Sequence, residues 1–314
     1  MTRKFHLGYL LLLAALLAAP LFVYPVLVMK VMCFALYACA FNLLLGYTGL
    51  LSFGHAAFLA TGAYVTGHAL KEWGMPTELG LLTGTLAAAT LGWLIGSLAI
   101  RRQGIYFAMV TLALAQMVYF IFVQSSFTGG EDGLQGIPRG YLLGVIDLSN
   151  DQSLYYLVLA ICVSAFWLIY RAIHSPFGQI LKAVRENEAR VVSLGYDVAK
   201  YKLVAFVLSA ALAGLAGATK VLVFKFATLT DAHWHASGEV VLMTLLGGMG
   251  TTFGPVVGAT VIISLQSELA DKVGSMVTVI MGGIFVICVL AFRRGIVGEA
   301  TALYQRITGS KSST

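Results

Sequence analysis

Side chains able to do chemistry are few in this chain, and they fall into two groups. The first is Asp231, His233 and His235 around Trp234, residue types that metal binding or hydrolysis can use. Their spacing matches no dependable zinc-ligand pattern. A polar connector carrying an interfacial Trp accounts for them better. The second group is the charged stretch 175–202. Ser175-Pro176 suits a helix start. Ile180, Val184, Val191 and Leu194 form one apolar stripe, charges fill the other face, and Gly195 can end the helix. Such an amphipathic helix either offers a face to a partner protein or lies on lipid headgroups. The four cysteines, Cys33, Cys39, Cys162 and Cys288, sit in apolar runs without a CxxC pair, so packing is expected of them. There is no Gly-x-x-x-x-Gly-Lys-Ser/Thr phosphate loop, so ATP hydrolysis is not expected of this chain.

The elements that must position these groups are apolar. Hydrophobic residues make up 59% of the 314 and charged residues only 11%, against about 25% in a soluble domain. Residues 7–29, 31–70, 79–100, 103–130, 152–170, 203–219, 240–267 and 273–292 contain no Asp, Glu, Lys or Arg. About 20 apolar residues in a helix cross the hydrocarbon core, so the run 31–70 holds two segments. The expected fold is all-α: one polytopic transmembrane bundle over residues 1–314, of about eight to ten membrane segments. Helices are expected near 7–25, 26–47, 55–70, 79–100, 104–124, 153–172, 201–223, 237–249, 254–268 and 273–293. The first 20 residues resemble a signal peptide, but the apolar run passes Pro20 to Met29, which favours a retained helix.

Charge sets the expected orientation. Most of the 20 basic residues lie at Arg3 and Lys4, at Arg101-Arg102, in 171–202 and from Arg293 onward. These segments are expected in the cytoplasm, which also places both termini there. The loop 125–151 carries Glu131, Asp132, Asp147 and Asp151 against Arg139 alone, and is expected outside. The net charge of +6 reads as orientation, with no basic-aromatic pattern for nucleic acid.

Gly-rich breaks interrupt both halves. Gly46-Tyr47-Thr48-Gly49-Leu50-Leu51-Ser52-Phe53-Gly54 is echoed, one residue out of register, by Gly247-Gly248-Met249-Gly250-Thr251-Thr252-Phe253-Gly254. Broken or re-entrant segments in both halves point to an internal repeat and a transport path. Gly49, Ser52, Phe53, Gly54, His55, Gly250, Phe253 and Gly254 are the candidate path residues. A competing reading makes His55 a histidine hydrogen-bonded within the bundle. Another makes the GxxxG spacings at Gly92/Gly96 and Gly250/Gly254/Gly258 close helix packing. Asn42, Gln116 and Gln124 read as interhelical hydrogen-bonding residues rather than substrate ligands. In the outer loop, Thr128, Gly129, Gly130 and Gly133 offer backbone N–H groups to a carboxylate or a delivery protein, or else form a turn-rich cap.

The run Arg185-Glu186-Asn187-Glu188-Ala189, then Gly195 and the apolar stretch 202–217, resembles the coupling loop of bacterial ATP-binding cassette importer permeases. With residues 104–115 and 128–138, the similarity is to branched-chain amino acid permeases, M-type (LivM-like) subunit, over about residues 30–295. Two departures stand out: Arg190 sits where the importer loop usually has a small residue, and the glutamate-to-glycine spacing is longer. The resemblance implies that Arg185, Glu186, Glu188 and Gly195 couple to ATPase subunits. It implies two such ATPases carrying ATP and Mg, a second permease and an external or periplasmic solute-binding protein, all at the bacterial inner membrane. It implies import of branched-chain amino acids or related small amides by alternating access. The alternative is an ion-coupled secondary transporter, which usually needs an ionisable group inside the membrane.

Overall fold

The computed structural model describes residues 16, 17, 19–21, 24–142, 144, 146–273, 276, 279, 280, 282–284, 286 and 295–299. The expected helices over 7–25 and 273–293 lie largely outside the described residues, and both termini lie wholly outside them.

Among the described residues, five helices are long and apolar enough to cross a membrane: α1 (Pro25–Thr48), α3 (Thr77–Ala99), α4 (Ile105–Gln124), α5 (Asp151–His174) and α8 (Val198–Phe224). Between them lie α2 (His55–Lys71), α6 (Pro176–Glu186), α7 (Glu188–Ser193), α9 (Trp234–Gly247) and α10 (Gly254–Val273). Pro25 stands in the first turn of α1, where a missing N–H costs nothing. Among the described residues, β structure is limited to two small antiparallel pairs. β1 (Leu134–Gln135) pairs with β4 (Phe226–Ala227), and β2 (Tyr141–Leu142) pairs with β3 (Ile146–Asp147).

The centre is α1, α2 and α8, whose side chains are largely buried. α3 closes this core by packing on α2 and α8, while α5 and the α9–α10 hairpin pack on α1. Lipid supplies no hydrophobic drive between helices, so close backbone approach must hold them together. Gly217 of α8 provides it: a Cβ there would stand 1.9 Å from the Leu59 carbonyl oxygen of α2. Gly92 and Gly96 of α3 face Ala210 and Phe206 of α8, and Gly258 faces the Met243 carbonyl, so the GxxxG spacings are packing seams. α3, α4 and α5 keep apolar outer faces, among them Leu86, Trp93, Ile105, Phe120 and Trp167. That surface suits hydrocarbon and would aggregate in water.

Three sequence expectations need correcting. First, residues 175–195 form two helices rather than one. Asn187 breaks them because its side chain accepts from the Arg190 amide (3.0 Å) and caps α7. Second, the inward stripe keeps Val184 and Val191, gains the fully buried Leu181, and loses Leu194, which is 69% exposed. Third, the long uncharged runs end at Lys30, Lys220 and Glu239, yet α1, α8 and α9 continue through these residues. The bundle therefore does carry ionisable side chains.

Other expectations agree with the coordinates. Gly195 (φ +88°) ends α7, with its amide on Val192 and the Tyr196 amide on Val191, a Schellman pattern. α9 has 14 residues, about 21 Å, which is short of a hydrocarbon core of about 30 Å. The loop 125–150 is a packed cap. Thr128 is fully buried, and its hydroxyl donates to the Phe122 and Ser125 carbonyls. The amides of Thr128, Gly129, Gly130 and Gly133 already donate to Ser125, Ser126, Ser125 and Gly130. They are therefore not free for a carboxylate. Arg139 pins this cap to α8: Nε donates to the Leu222 carbonyl (3.0 Å), Nη2 to Val223 (2.9 Å), and Nη1 pairs with Asp151 (2.6 Å). Leu222 and Val223 are last-turn carbonyls, which have no helical partner of their own and favour a cation.

Candidate functional site

The two Gly-rich breaks meet. α1 ends where Gly49 turns left-handed (φ +75°), and α9 ends before Gly250 (φ +73°). Asn42 of α1 clamps the second break through both ends of its amide. Nδ2 donates to the Thr251 carbonyl (3.0 Å) and Oδ1 accepts from the Gly250 amide (2.9 Å). A Cβ on Gly46 would sit 2.3 Å from that Oδ1 and 2.7 Å from the Gly250 nitrogen, so the clamp needs glycine there. Within the second break, Thr251 accepts from the Gly254 amide (3.0 Å), and Phe253 packs on Phe166 of α5 at 5.6 Å.

The charged segment reaches this junction. Ser175 caps α6 by accepting from the Gly178 amide (3.4 Å), and α6 carries Arg185 at its last turn. Arg185 Nη1 donates to the Gly46 carbonyl, its stem touches Gly49, and Nη1 stands beside Gly250. One guanidinium thus contacts both breaks. Lys182 supports it by lying over the Tyr47 ring at 5.8 Å.

Glu188 faces inward as well. It pairs with Lys202 of α8 (2.7 Å) and accepts from Gln103 of the α3–α4 turn (3.0 Å). The Lys202 side chain is only 5% exposed and that of Glu188 is 32% exposed. Removing one partner from such a pair strands the other charge. Glu188→Gln is expected to destabilise this contact by about 1–3 kcal/mol, discounted for the exposed carboxylate. Adding Lys202→Met should recover part of that loss, because the stranded ammonium goes too. Thermal unfolding of the purified single and double variants checks this; a double variant no better than Glu188→Gln would contradict it. Asp197, just before α8, accepts from the Lys200 amide and side chain, which hold its carboxyl below the usual range.

The remaining candidates divide clearly. Glu186 and Gly195 are exposed on the outer face of the segment, beside Arg190 and the exposed apolar Val192, Leu194 and Tyr196. Ser52 and His55 are buried in the bundle, both 0% exposed. Ser52 accepts from the Gly54 amide, and the Phe53 amide donates to Thr111 of α4 (3.2 Å). His55 Nε2 meets Ser209 Oγ (2.8 Å), which reaches the Ala40 carbonyl, while Phe41, Phe58 and Phe206 surround the ring. This is the hydrogen-bonded histidine of the competing reading. Asn42 makes the long-range hydrogen bonds expected of it, but its partner was not foreseen, because an amide separated by 208 residues from that partner leaves no local pattern. Lys202 and Gln103 were likewise not foreseen as the seat of Glu188.

A bundle whose broken helices are held together by a projecting charged segment defines the class of a multi-pass membrane permease. Residues 26–290 match the family described as branched-chain amino acid transport system, permease component, and the chain belongs to that family. It is similar to the high-affinity branched-chain amino acid transport system permease protein LivM of Escherichia coli, at 29% identity over 82% of this chain and 66% of that one. The chain thus spans just under two thirds of that relative. Similarity extends to the permease protein LivH of Salmonella typhimurium (23%, 73% of this chain, 79% of the relative). It extends also to the ribose import permease RbsC of Haemophilus influenzae (26%, 60% and 58%). No solved structure gives a significant match.

Proposed function

We propose that this chain is the membrane subunit of an ATP-driven importer of branched-chain amino acids at the bacterial inner membrane. It would pair with a second permease. Two ATPase subunits would supply ATP and Mg chemistry from the cytoplasm, and a solute-binding protein would deliver substrate from outside. The chain itself performs no catalysis, and both termini face the cytoplasm. The carrying observation is Arg185, which joins the projecting α6–α7 segment to both helix breaks at once.

The exposed outer face of that segment, with Glu186, Arg190, Val192 and Leu194, suits docking on the ATPases. A partner shifts a two-state equilibrium only by binding the two states unequally. ATPase closure would move α6, Arg185 would carry the Gly46 carbonyl, and the Asn42 clamp would pass the motion to residues 248–254. Gly49, Phe53, Gly54, Gly250, Phe253 and Gly254 would then rearrange along the path, while Ser52 and His55 hold the packed bundle behind it.

The ionisable residues inside the bundle give the ion-coupled reading its one specific support. Proteoliposomes carrying the chain, its partner permease and the ATPases decide between the two. Leucine uptake that requires ATP on the ATPase side and survives collapse of ion gradients is expected. Uptake that continues without ATP and stops with the gradients would overturn the proposal.

A further inference from the structure

α4 carries a polar side chain that the rest of the chain leaves unanswered. Of its 20 residues only Phe107, Ala108, Thr111, Ala115 and Val118 are buried, and they form its inward face. Its other side is apolar and exposed, with Met109, Ala113, Met117 and Phe120 among its residues. Gln116 stands on that side. It follows Ala113 by three residues and precedes Phe120 by four, spacings that put all three on one helix face. Gln116 itself is only partly buried.

Depth makes this amide costly. Gln116 is about 17 Å along the axis from the start of α4 and about 12 Å from its end. In a hydrocarbon core about 30 Å thick it is far from water on both sides. A primary amide has two N–H donors and an acceptor oxygen, and lipid tails offer neither a partner. Among the described residues Gln116 makes no hydrogen bond. Asn42, the other amide placed between helices, has both ends occupied, by the Thr251 carbonyl and the Gly250 amide. Gln124 is exposed at the last position of α4, where water can reach it.

ATPases and a solute-binding protein work in water and do not reach this depth. What remains within the bilayer is the second permease. We propose that the Met109–Ala113–Gln116–Phe120 face of α4 is the seam on which the second permease packs, and that a helix of that subunit presents a hydrogen-bonding side chain to Gln116. Spacings of four, three and four residues give the stripe along which two helices pack at a shallow crossing angle. Ala113 lets the two backbones approach, and the flexible Met109 and Met117 adapt to the facing surface. An apolar face alone suits lipid equally well. The amide is what singles out a partner, because side chains of this kind hydrogen-bond across helices in membranes. Two related permeases side by side in one bilayer hold equivalent residues at equal depth. An amide is donor and acceptor at once, so it can meet its own equivalent. The seam rests on the importer reading above, in which a second permease is present, and it names where that subunit docks.

The test is photo-cross-linking in the complete permease–ATPase complex, reconstituted in lipid. Phe120 is replaced by p-benzoylphenylalanine, a change that keeps an aromatic ring at an exposed site. Trp167, as exposed on α5, takes the same probe as the control. The Phe120 probe is expected to join the chain to the second permease at least about ten-fold more than the Trp167 probe does. Adducts from Phe120 with lipid alone, or with another segment of the same chain, would overturn the seam. In parallel, Gln116→Leu should weaken association of the two permeases about three- to fifteen-fold, the range of one hydrogen bond between membrane helices. Energy transfer between labelled subunits on lipid dilution reads this. The isolated Gln116→Leu chain should melt like the parent, and Gln124→Leu should leave association unchanged. Unaltered or tighter association in Gln116→Leu would count against the proposal. A complex that imports leucine yet yields no permease adduct from Phe120 sinks the seam alone. A complex that imports no amino acid sinks the importer reading and the seam with it.

Discussion

Arg185→Ala is expected to cut uptake by about ten- to hundred-fold while the protein still inserts and its partners still hydrolyse ATP. A hydrogen bond to a charged donor contributes about 1.5–3 kcal/mol. Arg185 makes one to the Gly46 carbonyl and also lies against Gly49 and Gly250. Alanine leaves the Gly46 carbonyl without that donor and opens a gap between α6 and both breaks. Lysine should rescue poorly, because a point-charge ammonium does not reproduce the guanidinium fork. Uptake and ATP hydrolysis measured together in proteoliposomes make the check. Parallel loss of both activities would instead indicate a folding defect, and normal coupled transport would remove Arg185 from the coupling route.

The largest structural effect is expected at Gly217. A side chain there meets the Leu59 carbonyl oxygen at 1.9 Å, and a carbonyl in a helix backbone cannot step aside as a flexible side chain can. Overpacking a well-packed site costs about 1–3 kcal/mol, and more where backbone must move. Gly217→Val should therefore prevent stable insertion or strip the purified chain of cooperative unfolding. Gly238→Ala is the control, since nothing lies within 4 Å of a Cβ there. A Gly217→Val protein that purifies and melts like the parent would show that α2 and α8 separate readily.

Long helices were legible because their signal is local. The helices expected over 26–47, 79–100, 104–124, 153–172 and 201–223 match α1, α3, α4, α5 and α8 to within a few residues, and the glycines locate both breaks. The division of the charged segment at Asn187 was not legible. Asn187 reads as one more polar residue on a helix face until its side chain is seen capping α7. The candidate site was half legible. Arg185 and Glu188 stood out as charges in an apolar chain, but their partners, Gly46 and Lys202, are set by tertiary packing. Counting charge-free runs also hid Lys30, Lys220 and Glu239. Each merely ends a run, whereas the helix continues through it: Lys220 pairs with Asp231 of the following turn, and Glu239 accepts from Gln266 of α10.

Arg139 and the β1–β4 pairing staple one end of α8 to the 125–150 cap, and Lys202 ties its other end to the α6–α7 segment. The 27-residue α8 is therefore a rod tied at both tips and packed along its length on α1, α2 and α3. Leu222 and Lys202 are 20 residues apart, about 30 Å along the helix, so a tilt of about 5° about Arg139 would carry the Lys202 end through about 2.6 Å. One continuous rod therefore joins the cap to the α6–α7 segment, and a shift at either end reaches the other only as far as its packing on α1, α2 and α3 yields.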